Sequence, residues 1–377
     1  MTPPRLQIGS LFLSYGIAGV FWGAFAAAAP EVQARSGLDT AGFGLALGAM
    51  TLTAFPVMQV FGRIVTRIAP YAIPLSMAVF AAGCLALAAA DSLAVFVLAF
   101  ALLGGASGAL DIALNLRTAR VEEDTGARLF NRTHAVFPFA MLLASAATGW
   151  LRAEGLTISE IFPAVAAGFL GIAGIEWRAG RHQPTHSQHA KGGRASLARV
   201  ALLLGLVAAL GAFQEAAPQN WAAIFMETVR GTGAVLAGLA PAAFTLGLTL
   251  GRLAAHEVEH RLTPLATVRI AALLAIAGFA AIALPLPPTS LLLLYLIAGM
   301  GVGPIEPAVF RAVARRTEDA ARGRSLATVT SIAYTGYLLS PPILGVVAGS
   351  AGWGAMWAVA GLAAVAVVAL SLTLRRA

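Results

Sequence analysis

Two carboxylates stand inside otherwise apolar runs, Asp111 in LLGGASGALDIALN and Glu306 in LLLLYLIAGMGVGPIEP. A carboxylate within a lipid-embedded span costs about 3 kcal/mol on insertion scales unless it is paired, protonated or wet, so each marks a place where protons or a polar solute can be handled. Gly104 and Gly108 precede Asp111 at the spacing with which Gly299 and Gly303 precede Glu306. On a helix, residues 104, 108, 111 and 115 form one stripe, which sets Asn115 beside Asp111, and residues 299, 303 and 306 form its counterpart. Counting ~1.5 Å per residue, both acids are expected roughly 12 Å to the cytoplasmic side of the bilayer midplane. His134 is expected at the same depth. Two readings stay open for the acids, a proton-titrating or solute-binding cluster and a structural tie neutralised by Arg117, Arg132 or Arg311. For His134 the structural role is favoured.

A third acid, Glu215, falls in QEAAPQNW (Gln214–Trp221) at the end of the seventh apolar run. It is expected on the outer part of a pathway, with Asn220 and Trp221 reaching the interface, where tryptophan anchors for its own reasons. Trp22 could contact a solute by stacking. Gln59, Tyr295, Tyr334 and Tyr337 read more simply as packing residues. A rival chemistry is offered by His256-Glu257-Val258-Glu259-His260, which satisfies H-E-x-x-H and on a helix would place two imidazoles on one face as in a membrane-embedded zinc metalloprotease. No downstream acid or histidine offers an obvious third ligand, so no enzyme, metal or cofactor is expected. His182, His186 and His189 read as part of a solvated loop.

The elements that would carry these side chains follow from composition. Of 377 residues, 59% are hydrophobic and 11% charged, less than half the charge of an ordinary soluble chain. So little polar surface cannot cover a water-soluble particle. Apolar runs near 9–29, 41–62, 72–90, 92–115, 131–151, 157–176, 197–218, 233–252, 265–285, 289–310, 325–348 and 353–374 are each long enough to cross ~30 Å of hydrocarbon as helix. They are continuously apolar rather than alternating, which excludes a barrel. Ser10–Ala29 reads as a retained first helix rather than a signal peptide. With the N-terminus cytoplasmic, only Arg35, Arg152 and Arg230 of the 25 Lys+Arg face outward, a bias that predicts both termini inside. Short basic loops without aromatic-rich patches argue against nucleic acid despite the net charge of +8. Cys84, the single cysteine, excludes a disulfide framework.

The runs also repeat. Phe55, Gly62 and Arg63 match Phe244, Gly251 and Arg252, Gly42 and Gly44 match Gly231 and Gly233, and Phe25 and Pro30 match Phe213 and Pro218. Arg128 and Gly149 match Arg324 and Gly345 in the same order. Nearly constant offsets over both halves point to two parallel six-helix repeats. The glycines of these matches, with Arg63 and Arg252, are candidates for helix packing or gating.

On these residues the chain resembles the major facilitator superfamily. The loop signature G-x-x-x-D-[RK]-x-G-[RK] is present in eroded form from Gly62, with Thr66 in place of the Asp and Ala69 in place of the second Gly. GALDIALNLRTARVE (Gly108–Glu122), RTHAVF (Arg132–Phe137) and QEAAPQNW look like the fucose-permease-like branch of bacterial permeases. It departs from that branch at Asn220, where an acid is expected, at Pro138, where a small polar residue is expected, and in a first helix without an acid. The resemblance implies an all-α membrane protein of twelve helices in two pseudosymmetric bundles, residues 1–177 and 197–377, joined by a cytoplasmic linker, 178–196. It further implies a monomer in a bacterial inner membrane that moves a small organic solute by alternating access, with protons as partner. Asp111, Asn115, Glu215 and Glu306 would then face the cavity. An uncoupled facilitator of the same fold is the alternative.

Overall fold

The computed structural model describes residues 4–127, 129–180, 198–317 and 319–374. Of the expected linker, residues 178–180 complete the sixth helix, and 181–196, including His182, His186 and His189, lie outside the described residues. The elements are α1 (Pro4–Ser36), α2 (Thr40–Ile64), α3 (Ala69–Ala88), α4 (Leu93–Thr125), α5 (Phe130–Ala153), α6 (Ile158–Gly180), α7 (Ala198–Ile224), α8 (Ala234–Glu257), α9 (Pro264–Ile282), α10 (Pro288–Val302), α11 (Ile305–Ala314), α12 (Asp319–Ala351) and α13 (Trp353–Thr373). Twelve spans are long and apolar enough to cross a membrane, α10 and α11 forming one of them, Pro288–Ala314. Contacts divide the chain into two units: Met1–Leu38 with Ala46–His189, and Asp39–Leu45 with Ala190–Ala377.

In the first unit α1 packs along α5, and α3 packs against α4 and α6. Lipid removes the hydrophobic drive that joins helices in water, so close approach and van der Waals contact must hold them. Small residues permit that approach. A Cβ on Gly23 of α1 would lie 2.1 Å from the Met141 carbonyl oxygen on α5. Around these seams sits an aromatic core in which Phe21 meets Phe80 at 4.7 Å and Phe80 stacks on Phe169 at 4.5 Å. The fourth helix outruns its apolar stretch and stops at Gly126, whose φ of +69° is open to glycine at no steric cost. Asp111 therefore falls near the middle of α4 rather than near its end.

In the second unit α7 packs along α12, and α10 lies against α8 and α9. Leu204, Val268, Ile305, Val309 and Val329 belong to its buried aliphatic cluster. A π-helical turn, Phe225–Val229, extends α7. There Trp357 touches Phe225 at 5.6 Å and Tyr295 at 5.6 Å. The tenth span breaks at Gly303-Pro304. Pro304 is the N-cap of α11 and Pro307 lies in its first turn, and neither has an amide hydrogen to give to the turn before it.

Candidate functional site

The first unit gathers its polar side chains where α1, α4 and α5 meet. Asn115 donates through Nδ2 to the carbonyl oxygen of Asp111 at 2.9 Å and to its Oδ1 at 3.0 Å. Tyr15 of α1 donates to Asn115 Oδ1 at 3.4 Å and lies 3.4 Å from the Thr118 hydroxyl. The Tyr15 ring sits 5.0 Å from that of His134. His134 stacks on Phe130 and bonds that residue's carbonyl oxygen through Nδ1 at 2.9 Å. The stripe glycines position this face. A Cβ on Gly104 would lie 1.9 Å from the Met50 carbonyl oxygen of α2, and one on Gly108 would lie 2.8 Å from Met58 Cγ. Trp22 is half-buried on the same helix as Tyr15, with its ring 5.3 Å from Phe21.

Arg117 pairs with Glu176. Its Nε lies 3.2 Å from Glu176 of α6, with the two side chains 5% and 1% exposed. Ser14 of α1 donates to the other Glu176 oxygen at 3.0 Å. Arg132 is exposed, and Arg311 pairs with Glu259. Two of the three arginines expected near the acids, Arg117 and Arg311, thus pair with Glu176 and Glu259. Tyr15 and Glu176 escaped the sequence reading. Glu176 ends its apolar run and reads there as an interfacial charge, while Tyr15 looks like any aromatic in a first helix.

The second unit brings together residues that the sequence reading kept apart. Arg252 of α8 places Nη2 3.3 Å from Glu215 Oε2, and its Nε donates to the Gly303 carbonyl oxygen at 3.2 Å. Gln219 donates to the other Glu215 oxygen at 3.4 Å. Glu306, three residues past the break, lies in the field of Glu215 and Arg252, and Tyr337 of α12 lies in the field of all three. Glu215 is thus no separate outer group. Its span runs Val200–Val229, so Glu215 lies near the middle of that helix rather than at its end. Trp221 is fully buried against Trp353 at 5.9 Å instead of forming an interfacial belt. Asn220 turns back to its own helix, donating to the Ala216 carbonyl oxygen at 2.8 Å.

The repeat-related glycines differ in setting. Gly251 would set a Cβ 2.3 Å from the Met300 carbonyl oxygen, Gly299 2.1 Å from that of Phe244 and Gly303 2.3 Å from that of Leu248. Gly62 has only the end of the Ile112 side chain, 4.0 Å away, and the neighbouring Arg63 is exposed.

The H-E-x-x-H reading fails on geometry. The helix ends at Glu257, so His260 lies in the following turn and shares no helical face with His256. His256 faces Glu259 at 3.5 Å, and His260 accepts from Arg261 at 3.0 Å. Among the described residues no group of three metal-ligating side chains is assembled.

Twelve apolar spans carrying interior acids define a multi-pass helical membrane transporter. The chain belongs to the major facilitator superfamily, whose family model matches residues 11–310. It is 24% identical over 351 residues to an uncharacterised MFS-type transporter of Yersinia pestis, covering 92% of this chain and 90% of that protein. It is 26% identical over 372 residues to the uncharacterised transporter y4wD of Sinorhizobium fredii, covering 95% of each. Its fold is similar to that of a mutant of the nucleoside transporter NupG, with a TM-score of 0.83 at 14% identity over 97% of this chain and 99% of that one.

Proposed function

We propose that this transporter is secondary active, moving a small organic solute by alternating access with coupled protons. One observation carries the reading. Glu215, within an apolar span, pairs with Arg252, and Glu306 of the neighbouring span lies in the electrostatic field of that pair. Two carboxylates against one cation leave a negative charge that lipid-embedded protein tolerates poorly. A proton, or a cationic group on the solute, balances it. In the first unit, the Asp111–Asn115–Tyr15 chain supplies both donors and acceptors, which suits a hydroxyl- or amine-bearing solute. The excess of acids disfavours a strongly anionic one. Sugars head the solute panel because of the fucose-permease-like segments, and nucleosides join it through the structural likeness to NupG. The arginine bias of the loops supports a bacterial inner-membrane location with both termini cytoplasmic, and a monomer is the working unit.

The solute is to be found by thermal shift of the purified protein against this panel, since anything that binds the folded state raises its apparent stability. Uptake into proteoliposomes under an imposed pH gradient then tests coupling. The expected result is accumulation by the wild type and none by the triple variant Asp111→Asn, Glu215→Gln, Glu306→Gln. Accumulation by the triple variant driven by the same gradient would end the proton-coupled reading and leave an uncoupled facilitator.

A further inference from the structure

Pro307 has no amide hydrogen, so the carbonyl four residues earlier, that of Gly303, receives no helical hydrogen bond from its own span. Arg252 of α8 supplies the missing donor through Nε at 3.2 Å, while Nη2 of the same guanidinium reaches Glu215 on α7. One planar fork therefore joins the orphan carbonyl at the α10–α11 joint to a buried carboxylate. The base of the fork is held firmly. Gly247 and Gly251 bring the α8 backbone against the carbonyls of Leu296 and Met300, and Gly303 itself rests on Leu248. On the α11 side of the joint, packing is chiefly against α7, α9 and α12. Among the described residues, Glu215 from α7 pairs with the guanidinium, and Glu306 from α11 and Tyr337 from α12 lie in its field.

We propose that Arg252 is a positioning residue that clamps the α10–α11 joint, and that the balance of charge between Glu215 and Glu306 sets how tightly it does so. Neutralising Glu215 leaves Glu306 as the carboxylate facing the guanidinium and draws it toward α11. Neutralising Glu306 draws it toward α7 and off the joint. The use of this device in transport rests on the proton-coupled reading, but the clamp itself does not.

Amide hydrogen exchange of Ile305–Ala314 in the full-length protein in lipid nanodiscs tests it, with no solute and no gradient. Arg252→Gln is expected to speed exchange about five-fold, the equivalent of one ordinary hydrogen bond. Adding Pro307→Ala, which returns an amide to the Gly303 carbonyl, is expected to restore protection. Glu215→Gln should slow exchange and Glu306→Gln should speed it. Unchanged exchange in Arg252→Gln, failure of Pro307→Ala to restore it, or the same sign for both carboxylate variants would overturn the proposal. If Arg252→Gln does not fold, Arg252→Lys keeps the charge but loses the fork, and the pair with and without Pro307→Ala decides the same question. Loss of proton coupling in proteoliposomes with this exchange pattern intact would sink the transport reading alone.

Discussion

Each unit holds an arginine–glutamate pair inside its helices, and the two are built differently. Arg117 and Glu176 are 5% and 1% exposed, and Ser14 donates to the carboxylate. Arg252 and Glu215 are 36% and 14% exposed, and the guanidinium divides itself between a carboxylate and a backbone carbonyl. The first is a sealed tie among α1, α4 and α6. The second is open, with a further acid in its field, and can change partners without tearing the fold. A sealed pair suits a scaffold and an open, over-subscribed one suits a switch.

Breaking each pair should separate these roles most sharply. Arg117→Met leaves Glu176 buried without its cation and should cost about 3–5 kcal/mol, while Arg252→Met, in a pair partly open to solvent, should cost about 1 kcal/mol or less. Thermal unfolding in detergent would show it, and restoration of stability by Arg117→Met with Glu176→Met would confirm that the stranded charge is the cause. Equal losses at the two arginines would erase the distinction.

The helix seams differ next. At Gly303 an added Cβ meets the Leu248 carbonyl oxygen at 2.3 Å, whereas at its repeat mate Gly108 it meets Met58 Cγ of a flexible side chain at 2.8 Å and the Ala54 carbonyl oxygen only at 3.1 Å. Gly303→Ala should therefore cost about 2 kcal/mol and Gly108→Ala under about 1 kcal/mol. Comparing unfolding midpoints of the two variants checks it. The smallest effect belongs to the first unit's polar chain. Tyr15→Phe removes the hydroxyl that meets Asn115 and Thr118, interhelical hydrogen bonds worth about 0.6 kcal/mol each in membrane interiors, and should move the unfolding midpoint only slightly. If it does move substantially, the Tyr15–Asn115 contact is a structural tie like the sealed pair.

Much of the architecture was legible in the chain. The apolar runs predicted the twelve spans because lipid demands continuous hydrophobic length, and that demand acts on each segment alone. The glycine stripes were legible too, since helical spacing aligns 104 with 108 and 299 with 303 whatever their neighbours. Depth was less so. The helix ends were not legible, because α4 and α7 continue well past the residues where hydropathy falls, which leaves Asp111 and Glu215 near mid-helix. Partner choice was not legible at all. Arg63 and Arg252 occupy the same repeat position, yet Arg63 is exposed and Arg252 joins two helices. Met58 replaces the counterpart of Gly247, and α2 has no Glu215 near it because the matching α1 position is Ala27.

The sequence by itself therefore determined that this chain lives in a membrane, how often it crosses and which few polar groups it carries inside, because those are properties of length, hydropathy and spacing within one segment. Only the tertiary structure decided that Glu176 captures Arg117 and that Arg252 bridges Glu215 to the Gly303 carbonyl. A guanidinium at the end of a flexible side chain settles on whichever acceptors neighbouring helices present, and that depends on how closely glycine lets their backbones approach.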